Sequence, residues 1–212
     1  MDACSVVIIC ILLIAIYYNY SSDIDAFINR KRICNNIDGR CYQVFMQFES
    51  TMSASEMLAY LNTFAITLMR HMRKKFLWDG AGTHADRHMV ENLLANYNPD
   101  AIVENNPASD INTSYVEDKG RVFALCLREK VSGKNTIHNK NILEFVTMHE
   151  MAHMASDAIG HEDAEFWINF KKIMIAAVET NMHTPIDYSK YNINYCSLVV
   201  NYSPYYDNDL RA

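Results

Sequence analysis

Two histidines four residues apart, His149 and His153, constrain the fold of this chain more than any other sequence feature. They lie in "ILEFVTMHEMAHMA", where apolar residues recur at helical spacing. Because side chains four residues apart stack on one face of a helix, both imidazoles would face the same point. Such a pair is the usual start of a tetrahedral zinc site. The apolar residues on the other faces would bury the helix and give the site a dry wall.

The residues that follow this pair indicate how a site would be completed. Glu150 lies about a hundred degrees around the helix from His149, which suits a base acting on zinc-bound water better than a ligand. Gly160 is a natural helix C-cap, and His161 follows it directly. We expect a helix that runs to Gly160, reverses there, and returns His161 as the third ligand of one Zn²⁺ ion.

Acidic residues directly after His161 offer an alternative ligand. Glu162, Asp163 and Glu165 stand in the first turn of a second predicted helix, where the helix dipole favours carboxylates. Any of them could replace His161 on the metal or accept a hydrogen bond from an imidazole N–H. The third position of the site is therefore assigned to His161, with these carboxylates as substitutes.

A hairpin is predicted near the beginning of the chain. Asp38 and Gly39 form a strong two-residue turn signal between strand-like flanks, over residues 32–48. Cys34 and Cys41 stand symmetrically about this turn, where a cross-strand disulfide would fit. In a reducing compartment the same residues would be two thiols.

Three further elements are predicted before the histidine pair, namely helices over residues 53–75 and 84–97 and a strand over residues 121–129. Ser53 and Glu56 have the spacing of a capping box and would begin the first helix. Asn141, with Glu144 three residues later, would cap the helix that carries the histidine pair.

Charge disfavours nucleic acid as a partner. The formal net charge is −6, whereas proteins that bind nucleic acid are usually basic. The one concentrated basic run, residues 70–75, fits the C-terminus of the first predicted helix, where cations are favoured. His84 and His88 also lie four apart, but no third ligand type is close in sequence, so a solvated or capping role is favoured for them.

The beginning of the chain predicts a membrane anchor. Residues 6–18 are an unbroken apolar run, with a length between a signal-peptide core and a spanning helix. We expect residues 1–20 to form one N-terminal transmembrane helix and residues 21–212 to form a single domain. A cleaved signal sequence and a buried N-terminal helix are the alternatives.

The side of the membrane on which the domain would lie stays open. The basic residues at 30–32 follow the apolar run, which favours a cytosolic domain by the positive-inside rule. Four cysteines after the run could instead form two disulfides in an oxidising compartment, and glycosylation sequons occur at Asn19, Asn112 and Asn201.

The segment "HEMAH…GHEDAEFW" resembles the WLM and SprT-like metallopeptidases. Their pattern is an HExxH helix, a short turn, a third histidine, and an acidic start to a helix containing Phe-Trp. Over residues 91–203 the chain is most similar to the small WLM-like metallopeptidases of large DNA viruses. The resemblance implies that His149, His153 and His161 are zinc ligands and that Glu150 is the catalytic base. It also implies an α+β, zincin-like fold, with a short, mostly antiparallel sheet and the HExxH motif on a central helix.

The expected function is that of a zinc metalloendopeptidase acting on a protein or peptide substrate. With the anchor, it would be a single-pass viral protein of a host or virion membrane. Tyr188, Tyr191 and Tyr195 are candidate donors to the developing oxyanion, and the strand over residues 122–127 could hold an extended substrate by strand addition. Two alternatives stay open: a catalytically silent, zinc-binding structural or envelope protein, and a SprT-like protease acting on DNA-bound proteins.

Overall fold

A computed structural model describes residues 9–12, 14, 29–106, 113–129, 136–158 and 162–211. Over these residues the chain has an α+β fold, which combines a five-stranded sheet, a separate two-stranded hairpin and four long helices. The predicted α+β class is therefore correct, while the sheet and the beginning of the chain differ from expectation.

The first hairpin forms as predicted. Strands β1 (Arg30–Cys34) and β2 (Cys41–Phe45) pair antiparallel, with Cys34 opposite Cys41. The two sulfur atoms are bonded, so the cysteines that flank the turn form a disulfide. Gly39 has a φ of 73°, a left-handed conformation that glycine adopts without a steric cost.

The main sheet is mixed rather than mostly antiparallel. Strands β3 (Ile102–Glu104), β4 (Tyr115–Glu117) and β5 (Val122–Leu125) complete it in the order β1-β2-β3-β5-β4. The β2–β3 and β3–β5 pairs are parallel, whereas the β1–β2 and β4–β5 pairs are antiparallel. Because β5 is paired on both sides, its backbone groups are used, and the prediction that this strand binds substrate is wrong. In the described sheet, the two edge strands are β1 and β4.

Helix α1 (Thr51–Arg73) packs one apolar face against β2 and the later helices, and a single π-helical turn (Lys74–Trp78) continues it. It begins two residues before the predicted capping box. Its N-cap is Ser50, whose side chain makes no capping hydrogen bond, so the Ser53–Glu56 box is wrong. The basic run lies at the helix C-terminus as expected.

Helix α2 (His84–Asn96) has the capping box that α1 lacks. The Thr83 hydroxyl accepts a hydrogen bond from the backbone N–H of Asp86, at 3.2 Å. The Asp86 carboxylate accepts one from the backbone N–H of Thr83, at 2.8 Å. The same carboxylate pairs with Lys172, which lies on the last helix of the fold, so one acidic side chain both caps α2 and attaches it to that helix.

Helix α3 (Lys140–Ala155) carries the histidine pair and is buried on most of its faces. Its N-cap is Asn139, whose side chain accepts from the backbone N–H of Asn141 at 2.8 Å. The predicted cap at Asn141 is therefore wrong. Glu144 does not cap either, because its buried carboxylate contacts the Tyr60 hydroxyl and His183 Nδ1.

The end of α3 also differs from expectation. The helix ends at Ala155 with Ser156 as its C-cap, so the prediction that it continues to Gly160 is wrong. The Ser156 hydroxyl donates to the Ala152 carbonyl at 2.8 Å and accepts from Asn169 at 3.0 Å. These bonds hold the helix end in place without a glycine. Gly160 itself lies outside the described residues.

Helix α4 (Ala164–Glu179) packs along α3. After it come the antiparallel hairpin of β6 (Ile193–Tyr195) and β7 (Leu198–Val200) and a 3₁₀ turn (Pro204–Tyr206). A second disulfide joins Cys126, just after β5, to Cys196 in the turn of this hairpin. The bond attaches the second hairpin to the main sheet just after β5.

The predicted N-terminal membrane anchor, and the single-pass membrane localisation drawn from it, are wrong for the described part of the chain. No helix there combines the length and the apolar character needed to cross a membrane. A spanning helix needs about 20 mostly apolar residues. The only described helix of that length, α1, carries Glu56, Arg70 and Arg73. Of the predicted anchor only residues 9–12 and 14 are described, and its other residues lie outside that part.

Candidate metal centre

Helix α3 stacks the two histidines as their spacing predicts. The ring centroids of His149 and His153 are 5.0 Å apart, and both side chains are partly exposed. The ring of His149 also lies 5.0 Å from that of Phe166, and the ring of His153 lies 4.3 Å from it. One aromatic side chain of α4 therefore supports both imidazoles from behind, leaving their open side toward solvent.

Glu162 supplies a third donor to this pair. Its Oε1 lies 3.4 Å from Nε2 of His149, and one donor atom from each of Glu162, His149 and His153 lies within 4.8 Å of the others. Within the described ranges this is the one group of three or more His, Cys, Asp or Glu side chains with metal-ligand spacing. His161, the predicted third ligand, lies outside the described residues.

The electrostatics of the group suit a metal ligand set. Burial, and then the neighbouring His149, lower the pKa of His153 to about 4, so this imidazole is neutral at pH 7. Burial also opposes protonation of His149, but contact with Glu162 and the charge of Glu150 outweigh it and raise the pKa of His149. Contact with His149 lowers the pKa of Glu162. The site thus keeps one neutral imidazole and one ionised carboxylate.

Glu150 differs from Glu162 in being almost fully buried. Burial raises its pKa to about 7, although the charge of His149 opposes the shift. The carboxyl group therefore takes up and releases a proton near neutral pH. It also lines the same cavity as the two histidines. A group with this pKa beside two candidate metal ligands is suited to act as a general base.

The cavity in front of these side chains has a volume of about 500 Å³. One wall is the chain that leads into β4, from Thr113 to Val116. A second part of the lining is β7 and the chain after it, from Leu198 to Tyr202, and α4 contributes Trp167 and Phe170. The cleft thus lies between β4, an edge strand of the described sheet, and the second hairpin, with α3 as its floor.

Three tyrosines were candidate oxyanion donors, and they lie in different places. Tyr195 lines the cavity, but its hydroxyl lies 2.6 Å from that of Ser114 and donates to the Cys126 carbonyl at 2.8 Å. Burial raises its pKa, so it keeps its proton. Tyr188 is buried against Phe145, with ring centroids 4.9 Å apart. Tyr191 is 71% exposed and does not line the cavity.

The other carboxylates considered as ligands have local roles. Asp163 is the N-cap of α4 and accepts from the backbone N–H of Phe166 at 3.0 Å. Glu165 lies 3.3 Å from the backbone N–H of Asp157. His84 is exposed, whereas His88 is half-buried and its Nε2 lies 3.0 Å from the Asp157 carboxylate.

Sequence reasoning missed the walls of the cleft. Ser114 and Tyr202 both line the cavity although they are far apart in the sequence, and neither belongs to a chemical motif. The one signal was the apolar triplet Leu198–Val200, which reads as an ordinary strand although two of its side chains are exposed. Such exposure next to a cavity becomes visible only in the structure.

Two viral proteins are similar to the chain. An uncharacterized protein of Acanthamoeba polyphaga mimivirus is 38% identical over 92 residues, which are 42% of this chain and 43% of that protein. An uncharacterized protein of Invertebrate iridescent virus 6 is 28% identical over 113 residues, 53% of this chain and 61% of that protein. The chain thus spans about half the length of these relatives. No protein-family model matches the chain, and no solved structure matches it.

Proposed function

We propose that the chain is a zinc-dependent endopeptidase. The observation that carries the proposal is the convergence of His149, His153 and Glu162 beside the buried Glu150, in one open cavity. Imidazole and carboxylate are the ligands of catalytic zinc sites, which keep one position open for water or substrate. The resemblance of the motif to WLM and SprT-like metallopeptidases supports the same activity.

The donor set fits a zinc ion. Metal ligands must be deprotonated. The pKa of about 4 of His153 and the lowered pKa of Glu162 meet this condition at neutral pH, and zinc would have to displace the proton that the raised pKa of His149 favours. The sequence pattern predicts His161 as the third ligand in place of Glu162. In that arrangement, Glu162 would accept a hydrogen bond from an imidazole N–H. When bound, zinc would lower the pKa of a water molecule and polarise the scissile carbonyl.

Residues of the chain would carry out the proton transfer and bind the peptide substrate. Glu150 accepts the proton of the attacking water and passes it to the leaving amine, which its pKa of about 7 allows in both directions. The open edge of β4 pairs with an extended peptide, since its partner β5 lies on the other side in the described sheet. Val116, on β4, also lines the cavity, so such a peptide would pass the metal centre.

The test compares the wild type with Glu150→Gln, which removes the base but keeps the shape of the side chain. We expect both proteins to bind about one zinc ion, and the variant to lose at least about 100-fold in kcat/KM on unfolded protein substrates. Zinc content by elemental analysis and cleavage by gel and mass spectrometry are the measurements. If both proteins bind zinc stoichiometrically and are equally inert on many unfolded substrates, the chain is a zinc-binding structural protein.

A further inference from the structure

The cavity in front of the metal centre is apolar at one end. Phe145 and Val146 lie one helical turn before His149 and Glu150, so they line the part of the floor toward the N-terminus of α3. Phe170 joins them from α4, with its ring centroid 5.4 Å from that of His149. The floor of this end is therefore built from side chains without a polar group, directly beside a candidate ligand.

The rim of the cavity carries exposed apolar side chains, and Trp167 on this rim lies beside Phe170, with ring centroids 6.2 Å apart. Leu198 and Val199 are 57% and 56% exposed, yet both line the cavity. Trp167 and Tyr202 meet edge to face across the rim, with ring centroids 5.1 Å apart. Exposed apolar residues grouped around a concave site mark a binding surface rather than a packing requirement.

The charged groups of the cleft lie at its other end. Asp118 and Lys119 line the cavity beside the C-terminus of α3, where the Lys119 ammonium group donates to the carbonyls of Ser156 and Asp157 at 3.1 and 2.8 Å. Apart from these two and the acidic and histidine side chains of the metal centre, the described lining residues are uncharged. The lining of the cleft thus changes along α3 from apolar side chains to charged ones.

We propose that this apolar end binds a large apolar or aromatic side chain of the substrate, next to the scissile bond. The inference rests on the proposed peptidase function and names its substrate class. Transfer of a phenylalanine or leucine side chain from water to this end lowers the free energy of binding. A charged side chain would lose its hydration there without forming a compensating ion pair or hydrogen bond. Pockets of this kind discriminate by about 10- to 200-fold for small changes in apolar size.

The first test uses a series of peptides that differ at one position, carrying Phe, Leu, Ala or Asp there. We expect cleavage beside that position with kcat/KM at least about 10-fold higher for Phe or Leu than for Ala, and slowest for Asp. Leu198→Asp should abolish this preference, since it places a charge on the rim. Leu198 is mostly exposed, so the fold does not depend on it. Ile37→Asp is the matched control, because Ile37 is 55% exposed in the first hairpin and lies outside the cavity lining.

The second test measures binding without hydrolysis. The chain has two tryptophans, so Trp78→Phe leaves Trp167 at the rim as the single tryptophan, which can be excited selectively over the tyrosines. In a Trp78→Phe, Glu150→Gln protein, titration with the same peptides should change the Trp167 fluorescence, at about 10-fold lower Kd for Phe than for Ala.

The outcomes separate this inference from the proposed function. Equal cleavage and equal Kd for all four peptides would contradict the proposal that the apolar end binds a substrate side chain. The proposal of peptidase activity would remain supported. Preferred binding of the Phe peptide by the Glu150→Gln protein, together with no cleavage of any of the peptides by the zinc-loaded wild type, would support the apolar end and reject the peptidase.

Discussion

At the scale of single residues, the contact of Glu162 with His149 has two interpretations. As a ligand, the carboxylate would complete the metal centre with the two imidazoles. As a hydrogen-bond acceptor, it would orient His149 and leave the third position to His161. Both roles require an ionised carboxylate, and the lowered pKa of Glu162 provides one at neutral pH.

Glu162→Gln should therefore weaken zinc binding in either role. We expect Kd for zinc to rise at least about 10- to 100-fold, which is the effect of losing an orienting partner. Competition with a chromophoric chelator measures it, with Glu165→Gln, in the first turn of α4, as the control. A larger loss in His161→Ala than in Glu162→Gln would assign the ligand to His161. Unchanged affinity in Glu162→Gln would contradict a role for this carboxylate at the metal.

At the scale of elements, the second hairpin forms a wall of the cleft only because it is attached to the sheet. The Cys126–Cys196 disulfide and the hydrogen bond from Tyr195 to the Cys126 carbonyl make this attachment. The hairpin has two three-residue strands, and a hairpin of this size is not stable alone in water. The shape of the apolar end therefore depends on a covalent bond far from the metal centre in sequence.

Removing this disulfide should cost both stability and activity. The bond closes a separation of 70 residues, so chain entropy predicts a loss of about 4 kcal/mol for Cys126→Ser with Cys196→Ser. The other disulfide closes a separation of 7 residues and predicts about 2 kcal/mol for Cys34→Ser with Cys41→Ser. Denaturant unfolding measures both, and peptide cleavage should fall only in the first pair. Equal activity in the two double variants would contradict a role for the hairpin as a wall.

The contact between α2 and α4 has its own pH dependence. Burial alone would raise the pKa of Asp86, but hydrogen bonds from Lys172 and Thr83 outweigh it and lower this pKa. A carboxyl group with a lowered pKa in the folded state stabilises the fold at pH values above its unfolded pKa. That stabilisation is lost as the pH falls through the folded pKa.

Asp86→Asn should therefore lower the free energy of unfolding by about 1–3 kcal/mol at pH 7. The difference from the wild type should persist down to about pH 4 and shrink below it, because Asp86 of the wild type then becomes protonated. Urea unfolding at a series of pH values tests this, with Asp100→Asn as an exposed control. A difference that stays constant down to pH 2 would show that the ionised carboxylate is not the stabilising form.

At the scale of the whole molecule, the local parts of the fold were predictable and the assembled cleft was not. The periodicity around His149 predicted its helix, and the Asp38-Gly39 turn predicted its hairpin, because both signals lie within a few residues. Helix ends were misplaced where several capping residues compete, as at Asn139 and Asn141. The prediction that β5 binds substrate failed because β5 lies between β3 and β4, two three-residue strands that are too short to stand out in the sequence pattern.

Zinc should stabilise the whole molecule, because its proposed ligands join α3 to the chain that leads into α4. A ligand that binds only the folded state at about 1,000 times its Kd adds about 4 kcal/mol to the free energy of unfolding. For a chain of 212 residues this corresponds to a rise in Tm of about 8–16 °C. Calorimetry with zinc, and again after a chelator, measures the rise and its reversal. His153→Ala should show neither, and an equal zinc-dependent rise in that variant would mean that the ion binds elsewhere.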